Sequence, residues 1–365
     1  MALPRQSPAW ISGLGLSTSI GGNTQQSLAS FRAGLLRYEP TKRWLCAPWD
    51  EENGELEPAM IAPVTDLDPL LVGTERLLQL AFPALTEAIE SAALSRKDLE
   101  GASLHLALPE TGRPTDADLE SRFPAELVRR SGLPRPKAMT ISRSGHCGVA
   151  EAIRSALEAQ AATGAPALVV ASDSFVDPAS LQWMDERSRL KCSRAPEGVI
   201  AGEAATVLVL EPPRTAERRG RTPLATIEAM GFAVETATVS SERACIGTGL
   251  GAAIREAAAR LGAVPSPPWV VSDMNGERYL ALEWSYVLTR LHTLFGGLRH
   301  QWFLADCVGE TGAAVGGLAV ARALGAFGIG RAPSVRAWLP LSADGGARAA
   351  LIVGAPDTEF VPGIE

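Results

Sequence analysis

Residues 142–153 read SRSGHCGVAEAI, a cysteine beside a histidine at a glycine-containing turn that runs into a helical pattern. A thiol held at the start of a helix has its pKa lowered and can attack as the thiolate, so Cys147 is a candidate nucleophile with His146 beside it. The plainer reading is packing, because unreactive cysteines are among the most buried residues. The other histidines do not supply a base: His105 falls inside the strand-like SLHLAL, while His292 and His300 flank the loop LFGGLRH, and all three read as surface or packing residues. The segment NGERYLALEW at 275–284 sets Arg278, Tyr279 and Glu283 on neighbouring helical turns, either a solvated helix start or a polar rim. Five cysteines, Cys46, Cys147, Cys192, Cys245 and Cys307, are scattered without a CxxC pair or clustered histidines, which predicts reduced thiols and no metal.

The elements that must position these groups can be read from periodicity. AWISGLGLST at 9–18 is a strand followed by a loop whose glycines permit close backbone approach. A helix follows, with Gln26, Leu28, Phe31 and Leu35 on one face and Gly34 near its end. Residues 40–70, rich in Pro, Glu and Asp, read as an irregular excursion. ERLLQLAFPALTEAIESAALS at 75–95 has a helical period, with Pro83 as a kink point. From 103 onward, SLHLAL, KAMTISRS (137–144), PALVVAS (166–172) and ATVLVLEP (205–212) alternate with helices near 118–131 and 148–163, separated at 109–118 by a polar loop. Such alternation predicts an α/β fold with a mostly parallel sheet. The charged RTAERRGRTP at 214–223 is the best internal boundary, dividing the chain into halves 1–213 and 214–365. The second half repeats the scheme: LATIEAMGFAV, a helix at 249–262, WVVSDMNG, a helix near 277–294, QWFLADC, a helix at 311–325 and AALIVG at 349–354.

With 365 residues, 46% apolar and 21% charged, the chain can bury a large core. A net charge of −7 without a basic run disfavours nucleic acid and points to protein or small-molecule partners. The N-terminus lacks a basic segment followed by an apolar run, and no stretch approaches the ~20 apolar residues of a membrane span, so a cytoplasmic protein without membrane contact is expected.

Four stretches, in order, resemble the β-ketoacyl-ACP synthases of the thiolase superfamily. AWISGLGLSTSIGGNTQQSLASFRAG (9–34) resembles their opening strand, turn and helix, and GVIAGEAATVLVLE (198–211) their glycine- and glutamate-containing loop and strand. RRGRTPLATIEAMGF (218–232) resembles the entry to the second half, and SADGGARAALIVG (342–354) the glycine-rich last turn and strand. The resemblance implies a thiolase-like five-layer αβαβα sandwich of two pseudo-duplicated halves, usually a homodimer, acting on acyl groups carried by CoA or acyl carrier protein without a further cofactor. It also implies that Glu203 holds its loop structurally.

Such enzymes carry a cysteine at a strand-to-helix elbow and two histidines that stabilise an enolate. With Ile141 and Gly148-Val149 aligned to the elbow's anchors, the nucleophile position falls on Gly145, and Cys147, two residues on, is rotated by roughly 200° to the far side of the helix. Sliding the elbow instead makes Cys147 the nucleophile, with His146 before it. The first histidine position falls on Asn275, before Gly276, where an amide can donate to an oxyanion but cannot exchange a proton, or where Asn-Gly simply makes a turn. The second falls on Glu310, after Gly309, where a carboxylate would repel a malonyl group, act as a general base, or cap the following helix. In the last turn, Asp344 stands where the family has an aromatic gate, which implies a different control of acyl entry, and His146, Gly276, Gly309, Asp344, Gly345 and Gly346 are expected to line an acyl site.

Two functions compete. One is a ketosynthase-like protein without decarboxylative condensing activity, binding acyl groups or a partner, as a homodimer or paired with an active ketosynthase and docking acyl carrier protein. The other is an acyltransferase or condensing enzyme built on Cys147, Asn275 and Glu310. A scaffold with a filled pocket is a third, weaker reading.

Overall fold

A computed structural model describes residues 9–49, 54–262 and 268–356. The reading of the N-terminus falls partly on residues 1–8, outside that range. Among the described residues twelve strands form: β1 Ala9–Thr18, β2 Glu39–Cys46, β3 Glu57–Ala62, β4 Ser103–Ala107, β5 Met139–Ser142, β6 Ala167–Ser174, β7 Ala201–Glu211, β8 Ala225–Val234, β9 Trp269–Ser272, β10 His300–Phe303, β11 Arg336–Ser342 and β12 Ala347–Gly354.

The duplication lies in the strand order. With β2 and β3, which lie off this path, set aside, the first half runs β5-β4-β6-β7-β1 and the second β10-β9-β11-β12-β8, so both place their remaining strands in the order third, second, fourth, fifth, first. The two join where Ala9, Trp10 and Ile11 of β1 pair antiparallel with Ile227, Thr226 and Ala225 of β8. In each half the third, second and fourth strands are parallel and the last two pairings antiparallel, which corrects the expectation of a mostly parallel sheet. A parallel neighbour requires a crossover back to the same end of the sheet. The segment between β6 and β7 makes none, and the chain re-enters where it left.

Layering follows from what each helix buries. Helices Gly148–Thr163 and Val315–Gly328 lie in one apolar cluster with strands of both halves, through Val149, Ile153, Leu318 and Val320, and so form the central layer. Helices Gly73–Ser91 and Leu119–Ser131 cover the outer face of the first half through Leu78, Leu85 and Phe123. Helices Thr248–Leu261 and Arg278–Arg290 cover the second through Ile254, Trp284 and Val287. The result is the five-layer αβαβα sandwich.

Several elements differ from the sequence reading. Residues 40–70 are not irregular throughout: β2 and β3 form an antiparallel pair, and β3 adds Ile61 and Ala62 beside Ala201 and Gly202. All of residues 9–18 are strand, and the glycines act within it, since a Cβ at Gly15 would sit 1.9 Å from the Ala84 carbonyl oxygen of the covering helix. The first helix ends at Ala33 with Gly34 at φ 63°, leaving Leu35 beyond it and 55% exposed rather than on the apolar face. Helix Gly73–Ser91 runs continuously through Pro83. Tyr279 and Glu283 belong to neither a solvated start nor a rim: Glu283 is 1% exposed and paired with Arg348, whose Nη2 donates to the Tyr279 hydroxyl.

Candidate functional site

In each half a short 3₁₀ turn feeds a central helix, directly after β5 in the first half and after a short helix, Ala305–Val308, that follows β10 in the second. In the first half the turn is Gly145–Cys147, and in the second Gly312–Ala314. Both open on a glycine in the left-handed region, Gly145 at φ 48° and Gly312 at φ 50°. In both, a carboxylate fills the space of the missing side chain: a Cβ at Gly145 would lie 2.2 Å from Glu110 Oε2, and one at Gly312 would lie 2.0 Å from Asp173 Oδ2. Either contact is impossible without movement.

Glu110 reaches the elbow from the segment after β4. It is buried, with Oε1 accepting the Gly345 N–H at 2.7 Å and Oε2 the Asp344 N–H at 3.3 Å. Burial, then the nearby Asp344 charge, raise its pKa, with the Gly345 N–H partly opposing. Cys147 faces elsewhere. It is 1% exposed, within the central apolar cluster, and its Sγ donates to the backbone oxygens of Leu341 at 3.3 Å and Ala347 at 3.2 Å. Burial and then the Asp273 charge hold its pKa well above the ordinary thiol value. The turn between residues 145 and 147 is 3₁₀ rather than α, so the two side-chain directions differ by about 240° rather than 200°.

His146 is the residue that enters the polar site. Nδ1 lies 2.9 Å from Asp273 Oδ2 and Nε2 2.8 Å from Glu310 Oε1. Asn275 Nδ2 donates to the other Glu310 oxygen and, at 3.1 Å, to Glu277 Oε2. Arg189 then grips Glu277 through Nε at 2.6 Å and pairs with Asp344. The chain of contacts thus runs Asp273, His146, Glu310, Asn275, Glu277, Arg189, Asp344, and returns through the Asp344 and Gly345 N–H groups to Glu110 beneath Gly145.

Its electrostatics follow from that order. Burial opposes a charge on His146, but Glu310 and Asp273 outweigh it and lift its pKa well above 6.5. Burial likewise opposes ionised Glu310, yet His146, Asn275 and the Gly312 N–H bring it down to about 2. With both nitrogens against carboxylates, His146 is an imidazolium and has no lone pair free to accept a proton. Its raised pKa makes its contribution to stability complete below pH 6.5 and lost as pH climbs through the raised value; that of Glu310 is complete above pH 4.5 and lost as pH falls through about 2. Urea unfolding across pH should therefore show the largest stability gap between wild type and His146→Gln at pH 4.5–6.5, shrinking on both sides. A gap independent of pH would contradict the ion pair.

Of the residues singled out in the sequence, the fold brings together His146, Asn275, Glu310, Asp344 and Gly345, flanked by Gly276 and Gly309, and sets the Cys147 thiol apart. Gly346, at φ 99°, packs toward the Glu235 carbonyl instead. Glu203 is fully buried and ion-paired with Arg76 at 2.6 Å. Sequence reasoning missed Glu110, Arg113, Asp173, Arg189 and Asp273. A cavity of about 440 Å³ lies against the elbow, lined by Glu110, Trp183, Arg189, Asp344 and Gly345 among others. Asp273 had a readable signal, standing at the end of a strand two residues before Asn275; Glu110 had none beyond lying in a polar loop.

Among the described residues two clusters gather thiol and carboxylate atoms within 4.8 Å, Cys46–Asp185–Cys192 and Glu235–Cys245–Glu283. Their carboxylates are already engaged: Asp185 by Trp44 and Arg194, Glu235 by the Gly249 and Ala237 N–H groups, Glu283 by Arg348 and Ser342.

No protein-family model and no curated protein matches the chain. Solved structures do. The ishigamide ketosynthase/chain length factor is 19% identical, with a TM-score of 0.76, covering 97% of this chain and 100% of that one. A type II PKS acyl-carrier protein in complex with its ketosynthase bound to the hexaketide gives 14%, 0.76, 97% and 100%. A β-ketoacyl synthase from Burkholderia phymatum STM815 gives 17%, 0.73, 97% and 100%. These likenesses establish the thiolase-like ketosynthase fold. Among the described residues, no helix is long and apolar enough to cross a membrane.

Proposed function

We propose that this chain is a ketosynthase-like subunit without decarboxylative condensing activity, which works by binding an acyl group or a partner, with an active synthase and acyl carrier protein as the partners best suited to its fold. The observation that carries the reading is the elbow: Gly145 offers no side chain, and the carboxylate of Glu110 stands where one would be. The positions that the resemblance gives to the two enolate-stabilising histidines hold Asn275, an amide that cannot exchange a proton, and Glu310, already paired with His146. The thiol of Cys147, buried and raised in pKa, speaks against the alternative of an acyltransferase built on it.

The pairing rests on two supports. Neighbours of this fold are a ketosynthase/chain length factor and a ketosynthase in complex with an acyl-carrier protein. In this chain, β5 is a four-residue strand at the end of the sheet order, bonded only to β4 among the described strands, with Met139 49% exposed. A second ketosynthase-fold chain, identical or not, can extend the sheet there.

Supplied with malonyl-CoA and an acyl-CoA, the protein should release CO₂ no faster than a protein-free control, and Cys147→Ser should change nothing. Protein-dependent release lost in Cys147→Ser would overturn the reading in favour of the acyltransferase; release kept in that variant but lost in His146→Gln would overturn it in favour of decarboxylation at the polar site.

A further inference from the structure

A second cavity, of about 330 Å³, shares no lining residue with the one at the elbow. It is walled by Leu28 and Arg32 of the first helix, Trp302 of β10, Arg322, Gly325 and Ala326 of the last helix, and Ile329 and Arg331 beyond it. Three of its eight residues are arginines and none is acidic. Elsewhere the buried arginines face carboxylates: Arg76 Glu203, Arg113 Asp173, Arg348 Glu283. Among the described residues, Arg32, Arg322 and Arg331 have no carboxylate partner, and the Nε of Arg322 is buried without a hydrogen-bond acceptor.

Arg322 is nonetheless held in place. Its guanidinium carbon lies 4.8 Å from the Trp302 ring centre and 5.0 Å from that of Phe31, a position fixed by cation–π contact. Burial, and after it the like charge of Arg32, lower its pKa, with Cys307 opposing. Arg322 is half-buried and Arg32 and Arg331 are exposed, so all three guanidinium groups can donate to one anion held in the cavity that they line.

We infer that this cavity binds an organic phosphate carrying a flat apolar group. Guanidinium forks match phosphate oxygens in pairs, which accounts for Arg32, Arg322 and Arg331. Trp302, Leu28, Ala326 and Ile329 account for the apolar body, since an inorganic ion would leave that half of the wall to water. The volume sits at the low end of the roughly 300–1,000 Å³ of small-molecule sites, which suits a mononucleotide-sized ligand.

Adenosine monophosphate and inorganic phosphate serve as probes in isothermal titration calorimetry of the full chain. The expected result is saturable binding of one adenosine monophosphate per chain, at least tenfold tighter than inorganic phosphate. It should weaken at least tenfold in Arg322→Met and in Arg331→Met, and stay unchanged in Arg129→Met, an arginine 66% exposed elsewhere on the surface. Arg331 is exposed, so its variant keeps the fold if the half-buried Arg322 variant does not. Absence of saturable binding overturns the inference, as does equal affinity for inorganic phosphate or binding indifferent to both cavity variants. None of these outcomes bears on the proposal for the elbow.

Discussion

Gly145→Cys, which writes a cysteine into the elbow, should destabilise the protein by about 3 kcal/mol and leave it without condensing activity. A side chain at φ 48° costs about 1–2 kcal/mol in the left-handed region. The new Cβ would also meet Glu110 Oε2 at 2.2 Å, and moving that carboxylate breaks its bonds to the Gly345 and Asp344 N–H groups, worth roughly 1–3 kcal/mol for a buried acceptor. Glu110→Ala with Gly145→Cys should therefore cost less than the sum of the single changes, by about 1–2 kcal/mol in denaturant unfolding. Strict additivity would mean that Glu110 does not occupy the site of the missing side chain.

Arg113→Met should cost about 4 kcal/mol at neutral pH, because it leaves the carboxylate of Asp173 buried without its cation. Arg113 Nη1 lies 2.7 Å from Asp173 Oδ2, both side chains are almost wholly enclosed, and Asp173 also accepts the Ala313 N–H at 2.8 Å. Burial, opposed by Arg113, already raises the Asp173 pKa above 3.8. A carboxylate with a raised folded pKa destabilises the fold increasingly as pH rises through that value, so the deficit of Arg113→Met should shrink on acidification. Asp173→Asn in the same chain should recover about half of it. A cost below about 1 kcal/mol, flat with pH, would show that the carboxylate is hydrated and not held by Arg113.

These two sites also show how far the sequence could be read. Helix Gly148–Thr163 was legible because its apolar period is unbroken and Gly164 closes it at φ 68°. The five-layer fold was legible through the resemblance of four stretches, in one order, to the β-ketoacyl-ACP synthases. β2, written EPTKRWLC, and β11, with Pro340 inside it, were not, since prolines and charges mask strands whose pairing is set by their neighbours. In the site, the resemblance to the β-ketoacyl-ACP synthases led to Gly145, Asn275 and Glu310. Glu110 and Arg113 were hidden in a loop with no periodicity: their partners Gly345 and Asp173 lie 235 and 60 residues away, and only the folded chain joins them.

The central claim, that the elbow presents no nucleophile, is most directly tested by treating native protein with chloroacetamide from pH 5 to 9 and mapping the modified cysteines by mass spectrometry, with Cys147→Ser as control. The partly exposed Cys192 and Cys245 should be modified, and Cys147 only after unfolding. Selective modification of Cys147 in the native protein, well below the ~8.5 pKa of a free thiol, would contradict the claim.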